Sequence, residues 1–176
     1  MSRAFVDEST SSARVEDAPE RKIPLPPGAK NYMTPEGAER LRRELSRLLS
    51  VERPRLIAEI AAAEKSVIAS LQRHAAEVDR RIEYLRRMTA ILEVIDSRGQ
   101  AGDRVVFGAT VTVLEGSAAR RSYRIVGSDE SDPAKGWVSW VSPVARALVG
   151  KRVGDRVPVK LPVGEKWLEI LRIEFL

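Results

Sequence analysis

The spacing of apolar residues along this chain changes character twice. From Met33 to about Asp96 they recur at helical intervals; from about Val105 onward they alternate as in strands; before Asn31 no period is visible. The helical stretch opens on Thr34-Pro35-Glu36-Gly37, a capping residue ahead of a proline suited to a first helical turn. Leu41, Leu45, Leu48 and Leu49 follow, then Leu56, Ile57 and Ile60, with Pro54 expected to kink the helix or remove a hydrogen bond. In the second run Leu71, Ala75, Val78, Ile82, Leu85, Thr89 and Leu92 alternate spacings of four and three, the narrow seam of a coiled coil. Between the runs lies Ala61-Ala-Ala-Glu-Lys-Ser-Val-Ile-Ala-Ser70, without Gly, Pro or Asn. A lone amphipathic helix must bury its seam, and the first run offers a partner of matching length. The pattern therefore predicts an antiparallel hairpin over 33–96, with arms 35–63 and 67–96, a turn near 64–66, and Ser66 capping the second arm.

A Gly-containing linker, 97–103, leads to strand-like segments at 105–107, 109–113, 122–126, 157–161 and 166–173, with a bulge or close contact expected at Gly108. Pro143 to Val149 reads as a short helix ended by Gly150. Residues 104–176 are thus expected to form a small antiparallel sheet packed by one short helix, making the whole chain α+β. Residues 1–31 hold Ser9-Thr10-Ser11-Ser12, balanced charges and Pro24-Leu25-Pro26-Pro27-Gly28, a composition that buries little and predicts a disordered or extended tail.

Composition narrows the chemistry. With 43% apolar but only 5% aromatic residues, the core must be aliphatic. The absence of cysteine excludes a disulfide framework and a thiolate zinc site, and a single histidine, His74, excludes an imidazole-rich one. His74 reads as a solvent-facing residue of the second arm. No apolar run approaches a membrane span and no secretory signal opens the chain, so a soluble cytoplasmic protein is expected. The net charge of +5 is spread out: twelve basic and eleven acidic residues in 35–96, thirteen and nine in 97–176. Charge alone does not demand direct nucleic-acid binding. Nor is there a P-loop or nucleophile elbow to suggest an independent enzyme.

Several stretches resemble the bacterial Gre (GreA/GreB) transcript-cleavage factors: Met33-Thr34-Pro35-Glu36-Gly37 with Leu41, Glu44, Leu45 and Leu48; Arg53-Pro54; Phe107-Gly108-Ala109-Thr110-Val111-Thr112-Val113; Tyr123-Arg124-Ile125-Val126-Gly127; and Ser142-Pro143-Val144-Ala145-Arg146-Ala147-Leu148 with Gly154-Asp155. Val78 to Leu85 looks closer to the GreB branch. The resemblance implies an FKBP-like C-terminal domain that docks on the rim of the RNA polymerase secondary channel, on the largest subunit. It also implies a coiled coil that carries acidic tip residues to the polymerase active centre, close to the nascent RNA. There, carboxylates help hold a second magnesium ion of the polymerase, the oxygen-ligand chemistry of two-metal phosphodiester cleavage. The chain itself would bind no cofactor, would act as an accessory factor rather than an enzyme, and is expected to be a monomer.

Against that pattern the tip differs. The family carries a Gly-Asp turn followed by Glu-Asn and an aromatic; Ala61 to Leu71 has no Asp, Gly, Asn or aromatic, and the hairpin looks shorter by roughly one heptad. Glu64 is the one carboxylate at the apex, beside Lys65 and Ser66. The resemblance therefore implies elongation control with weak or absent cleavage. For docking it points to Trp140, Ser142, Pro143, Ala145 and Arg146, although Ser142 and Pro143 also fit a plain helix cap. The position before Ser142, usually polar in the family, is Val141; with Trp137 and Trp140 it forms either core or an apolar interaction surface. The alternative is a hairpin-plus-sheet binding module acting on another protein.

Overall fold

The computed structural model describes residues 24–100, 102–116, 119–161 and 164–175. An N-terminal hairpin of helices is joined to a five-stranded sheet. Strand β1 (Asn31–Met33) leads into helix α1 (Pro35–Arg47), a π-helical turn (Leu48–Glu52) and helix α2 (Arg53–Ala62). Helix α3 (Lys65–Ala90) returns antiparallel and ends in strand β2 (Leu92–Val94), which pairs parallel with β1. Thr34 caps α1 as expected: its side chain accepts from the Gly37 amide at 3.1 Å.

Pro54 produces no sharp break. It lies just after the π turn, in which the Arg53 amide reaches back five residues to the Leu48 carbonyl. One extra residue per turn lets the first arm pass a missing amide while staying continuous. The seam buries Leu41, Leu48, Leu56, Val78, Ile82 and Leu85. Arg81 clamps Glu44 across the arms with two bonds of 2.8 Å, and Arg53 meets Asp79 at 2.7 Å. Packing thins toward the apex: Ile57 and Val67 are about half exposed, and no residue of 57–70 is buried.

The chain does turn within the plain stretch, at Ala63 and Glu64, both extended. Ser66 lies inside α3 rather than capping it; Glu64 occupies the cap position and makes no side-chain cap bond. Nor does the second arm run to residue 96. It stops at Ala90, because Leu92–Val94 are drawn into the short sheet with β1. Asn31, placed by its composition at the end of the tail, is fully buried there and donates to the Met88 carbonyl. The remainder of the tail up to residue 23 falls outside the described residues.

The C-terminal sheet contains β3 (Thr110–Glu115), β4 (Ala119–Val126), β5 (Trp137–Ser139), β6 (Arg156–Leu161) and β7 (Gly164–Glu174), in the order β5-β4-β3-β7-β6. Four strands are antiparallel neighbours; β5 adds a parallel edge, because a crossover of ten residues containing two 3-10 turns returns the chain alongside β4. That edge pair was not visible in the strand pattern, and residues 105–107 form no strand. Val105 is nonetheless buried in the sheet core, while Gly108, at φ 84°, passes against Ser97, where a Cβ would lie 1.9 Å from Oγ. Helix α4 (Pro143–Leu148) covers the inner face, closing a core of Val111, Val113, Ile125, Ala145, Leu148, Leu168 and Ile170. The α+β architecture with a helical hairpin holds.

Hairpin and sheet meet through Glu130, whose side chain is 1% exposed. Its carboxylate accepts from the Thr34 amide (2.9 Å), the Thr34 hydroxyl and the Gly127 amide (3.0 Å). Gly37 and Gly127 make room for this contact. A Cβ on Gly37 would sit 2.1 Å from Glu130 Oε1, and one on Gly127 2.5 Å from the Tyr32 carbonyl. Helix propensity alone would let Gly37→Ala stabilise α1 by up to about 1 kcal/mol. We expect the opposite, a loss of about 1–3 kcal/mol in denaturant unfolding, since the added methyl displaces a carboxylate held by three donors.

Candidate functional site

Two regions carry the residues singled out above. The first is the hairpin apex. The Ala63 amide reaches the Ile60 carbonyl at 3.4 Å and the Val67 amide reaches the Glu64 carbonyl at 3.1 Å, so one helix frays as the next begins. Glu64, Lys65 and Ser66 are all exposed. The nearest carboxylates along the arms are engaged elsewhere: Glu59 faces Arg55 at 3.3 Å, and Glu77 faces His74 Nδ1 at 3.8 Å. Among the described residues no group of three His, Asp or Glu side chains is arranged to hold a metal ion.

Lower on the hairpin, His74 faces solvent as expected, half-exposed, with carboxylates on either side. Its Nε2 lies 3.5 Å from Glu52, which also contacts Arg55 (2.5 Å) and Arg47 (3.6 Å). The Arg55 hydrogen bond, chiefly, holds the Glu52 carboxyl below its ordinary range. This cluster ties the π turn to α3.

The second region is the loop into α4. Ser142 caps the helix, accepting from the Ala145 amide at 3.1 Å, and is buried; Ala145 is fully buried in the sheet core. Pro143 and Arg146 are exposed. Trp140 is partly buried, its ring edge-on to Tyr32 at 5.3 Å and its Nε1 enclosed without an acceptor. Val141 is 2% exposed, which makes it core. Of the five residues predicted for docking, Pro143 and Arg146 therefore present the free surface, while Ser142 and Ala145 shape the helix that displays them. Trp137 behaves differently from Trp140: Arg40, Arg124 and Lys135 surround its ring at 5.2–6.0 Å.

At the junction, Tyr84 of α3 donates to both oxygens of Asp129, at 2.8 and 2.9 Å. Burial, reinforced by that carboxylate, pushes the Tyr84 phenol well above its ordinary range. Glu130, Asp129 and the cations around Trp137 were not anticipated from the sequence. Only the Thr34 cap gave a signal, and its partner lies 96 residues away.

A helical hairpin is thus joined to a sheet domain by a buried carboxylate, beside an exposed loop-to-helix corner. A family model described as "Transcription elongation factor, N-terminal" matches residues 31–67, and one described as "Transcription elongation factor, GreA/GreB, C-term" matches 100–175. Transcription elongation factor GreA of Anaeromyxobacter sp. (strain K) is 43% identical over 152 residues, covering 82% of this chain and 92% of that protein. The chain belongs to the GreA/GreB family of transcription elongation factors. GreB of Neisseria meningitidis serogroup A is 38% identical, covering 84% and 95%, so relatives under both names match at similar levels. Among solved structures, GreA factor homolog 1 (Gfh1) of Thermus thermophilus is 21% identical, covers 83% of this chain and 99% of its own, and superposes with a TM-score of 0.38. Gre factors act on RNA polymerase as accessory proteins that stimulate the polymerase's own cleavage, and are not enzymes themselves. No described helix is long and apolar enough to cross a membrane.

The split between shaping and displayed residues has a direct consequence. Ser142→Ala should lower unfolding stability by about 1 kcal/mol through loss of the cap. Arg146→Ala, at an exposed position, should leave it within about 0.5 kcal/mol, both read from denaturant midpoints.

Proposed function

We propose that this elongation factor enters the secondary channel of RNA polymerase with its hairpin and regulates elongation there with little or no stimulation of transcript cleavage. The observation that carries this reading is the apex. Glu64 is exposed beside Lys65, and no second carboxylate accompanies it. Holding an extra magnesium ion against a phosphodiester calls for several oxygen ligands around a hard cation. One exposed carboxylate beside an ammonium is a poor substitute, because the adjacent positive charge opposes cation binding. The magnesium concerned belongs to the polymerase; this chain would approach it and the nascent RNA only indirectly.

Arms of about 40 Å, from helices of 26 to 28 residues including the π turn, give the hairpin the reach of a probe. Pro143 and Arg146 on the sheet domain supply the surface for the channel rim, on the polymerase's largest subunit. The division of labour follows the domains: residues 33–96 probe, residues 104–176 dock, and 97–103 join them. The factor works as a monomer in the cytoplasm with its polymerase.

Backtracked elongation complexes test this. Addition of the factor with magnesium should release 3′ RNA fragments at close to the polymerase's unaided rate. Strong magnesium-dependent release that disappears in Glu64→Ala would overturn the reading. Arg146→Glu should weaken binding to core polymerase by about tenfold; unchanged affinity there would remove the docking surface from the account.

A further inference from the structure

The cations around Trp137 play no part in the docking corner or the tip. They come from three separate elements: Arg40 from α1 at 6.0 Å from the ring centroid, Arg124 from β4 at 5.3 Å, and Lys135 from the turn before β5 at 5.2 Å. The parallel pairing of β4 and β5 sets Arg124 directly beside Trp137. The 3-10 turn Pro133–Lys135, capped by Asp132 accepting from the Ala134 amide at 3.1 Å, folds Lys135 back over the same ring. The Glu130 contact in turn brings α1, and with it Arg40, to the sheet edge.

Like charges converging on one indole repel each other, and a ring quadrupole offsets only part of that repulsion. Local carboxylates do not complete the compensation. Glu130 is held by Thr34 and Gly127 and reaches Arg40 only at 3.6 Å; Asp132 is paired to Lys135 at 2.7 Å. Arg124 has no carboxylate among the described residues, and its Nε is buried without an acceptor. A tryptophan framed by arginines has the composition of an interface centre, and the excess of positive charge around it, lysine included, suits an acidic partner.

We propose that the Trp137 cage is a second docking point that receives an acidic, Asp- or Glu-bearing protein segment of the polymerase. This rests on the polymerase reading above. The segment's carboxylate would pair with Arg124, the cation without a carboxylate of its own, while the indole offers apolar contact to the segment's methylenes. Nucleic acid is the less suitable occupant. A base needs a free aromatic face on which to stack, and the Trp137 ring is half-buried with three cations over it.

The test measures binding of the full-length chain to core RNA polymerase. Arg124→Glu and Lys135→Glu are compared with Lys160→Glu, the same charge change on β6 at the opposite edge of the sheet. Each cage variant should weaken binding by about tenfold and flatten its salt dependence, while Lys160→Glu stays within about twofold. Thermal unfolding checks the fold; should Arg124→Glu fail to fold, Lys135→Glu on its exposed turn decides alone. A glutamate-rich peptide should compete with polymerase for the wild-type chain. Cage variants that bind like the Lys160→Glu control overturn the cage while leaving the polymerase reading intact. Competition by single-stranded RNA and not by the peptide overturns it in favour of nucleic acid. A wild-type chain that does not bind polymerase overturns the polymerase reading and this occupant with it.

Discussion

The buried carboxylate of Glu130 is the interaction on which the rest of this structure depends. An ionisable group removed from water is expensive unless its hydrogen-bonding capacity is met. Here two donors come from Thr34, at the first turn of the hairpin, and one from Gly127, at the end of β4. The same hydroxyl also caps α1. Helix start, strand end and inter-element contact are thus one network, and losing any member leaves the others unsatisfied in the interior. Tyr84 and Asp129 add a second link from the returning arm. Both arms are therefore attached to the sheet domain close to their base, and their far end is free.

This arrangement makes sense of how the hairpin is packed. Near the junction the seam is closed by Leu41, Leu85 and Ile82; at the apex Ile57 and Val67 stand half exposed. The base is firm and the far end slim, and the π turn at Leu48–Glu52 keeps the first arm continuous where Pro54 would otherwise break it. At the slim end Glu64 stands exposed beside Lys65, and on the proposed reading such an apex lends little to transcript cleavage. Polymerase as the partner carries over from the family; the proposed function departs from the family's only in catalytic assistance.

Much of the fold was legible because it follows from local rules. Seven seam positions at alternating four- and three-residue spacing gave the second arm, Thr34-Pro35 gave the start of the first, and Ser142-Pro143 with Gly150 bracketed the short helix. What escaped depends on contacts distant in sequence. The strand Leu92–Val94 looks helical until β1 supplies an edge for it, and β5 is only three residues long beside a strand it joins through a crossover. Ser66 had the right chemistry for a cap, but the chain turned two residues earlier, at alanine and glutamate positions with no turn signature. Glu130 looked like any other charged residue in Ser128-Asp129-Glu130-Ser131. For the residues proposed to dock, family likeness indicated the segment, and only burial separated Pro143 and Arg146 from Ser142 and Ala145.

Because the hairpin can act as an aimed probe only if its base is fixed, the geometry of the junction is the claim to test. The chain contains no native cysteine, so spin labels can be introduced at chosen sites without background. The distance distribution between a label on Ala69, near the apex, and one on Lys160, in the sheet domain, should be narrow in the wild-type chain. It should broaden markedly when Thr34→Val and Glu130→Gln are combined. An equally narrow distribution in that double variant would show that the hairpin is aimed by something other than the buried carboxylate, and would contradict the account.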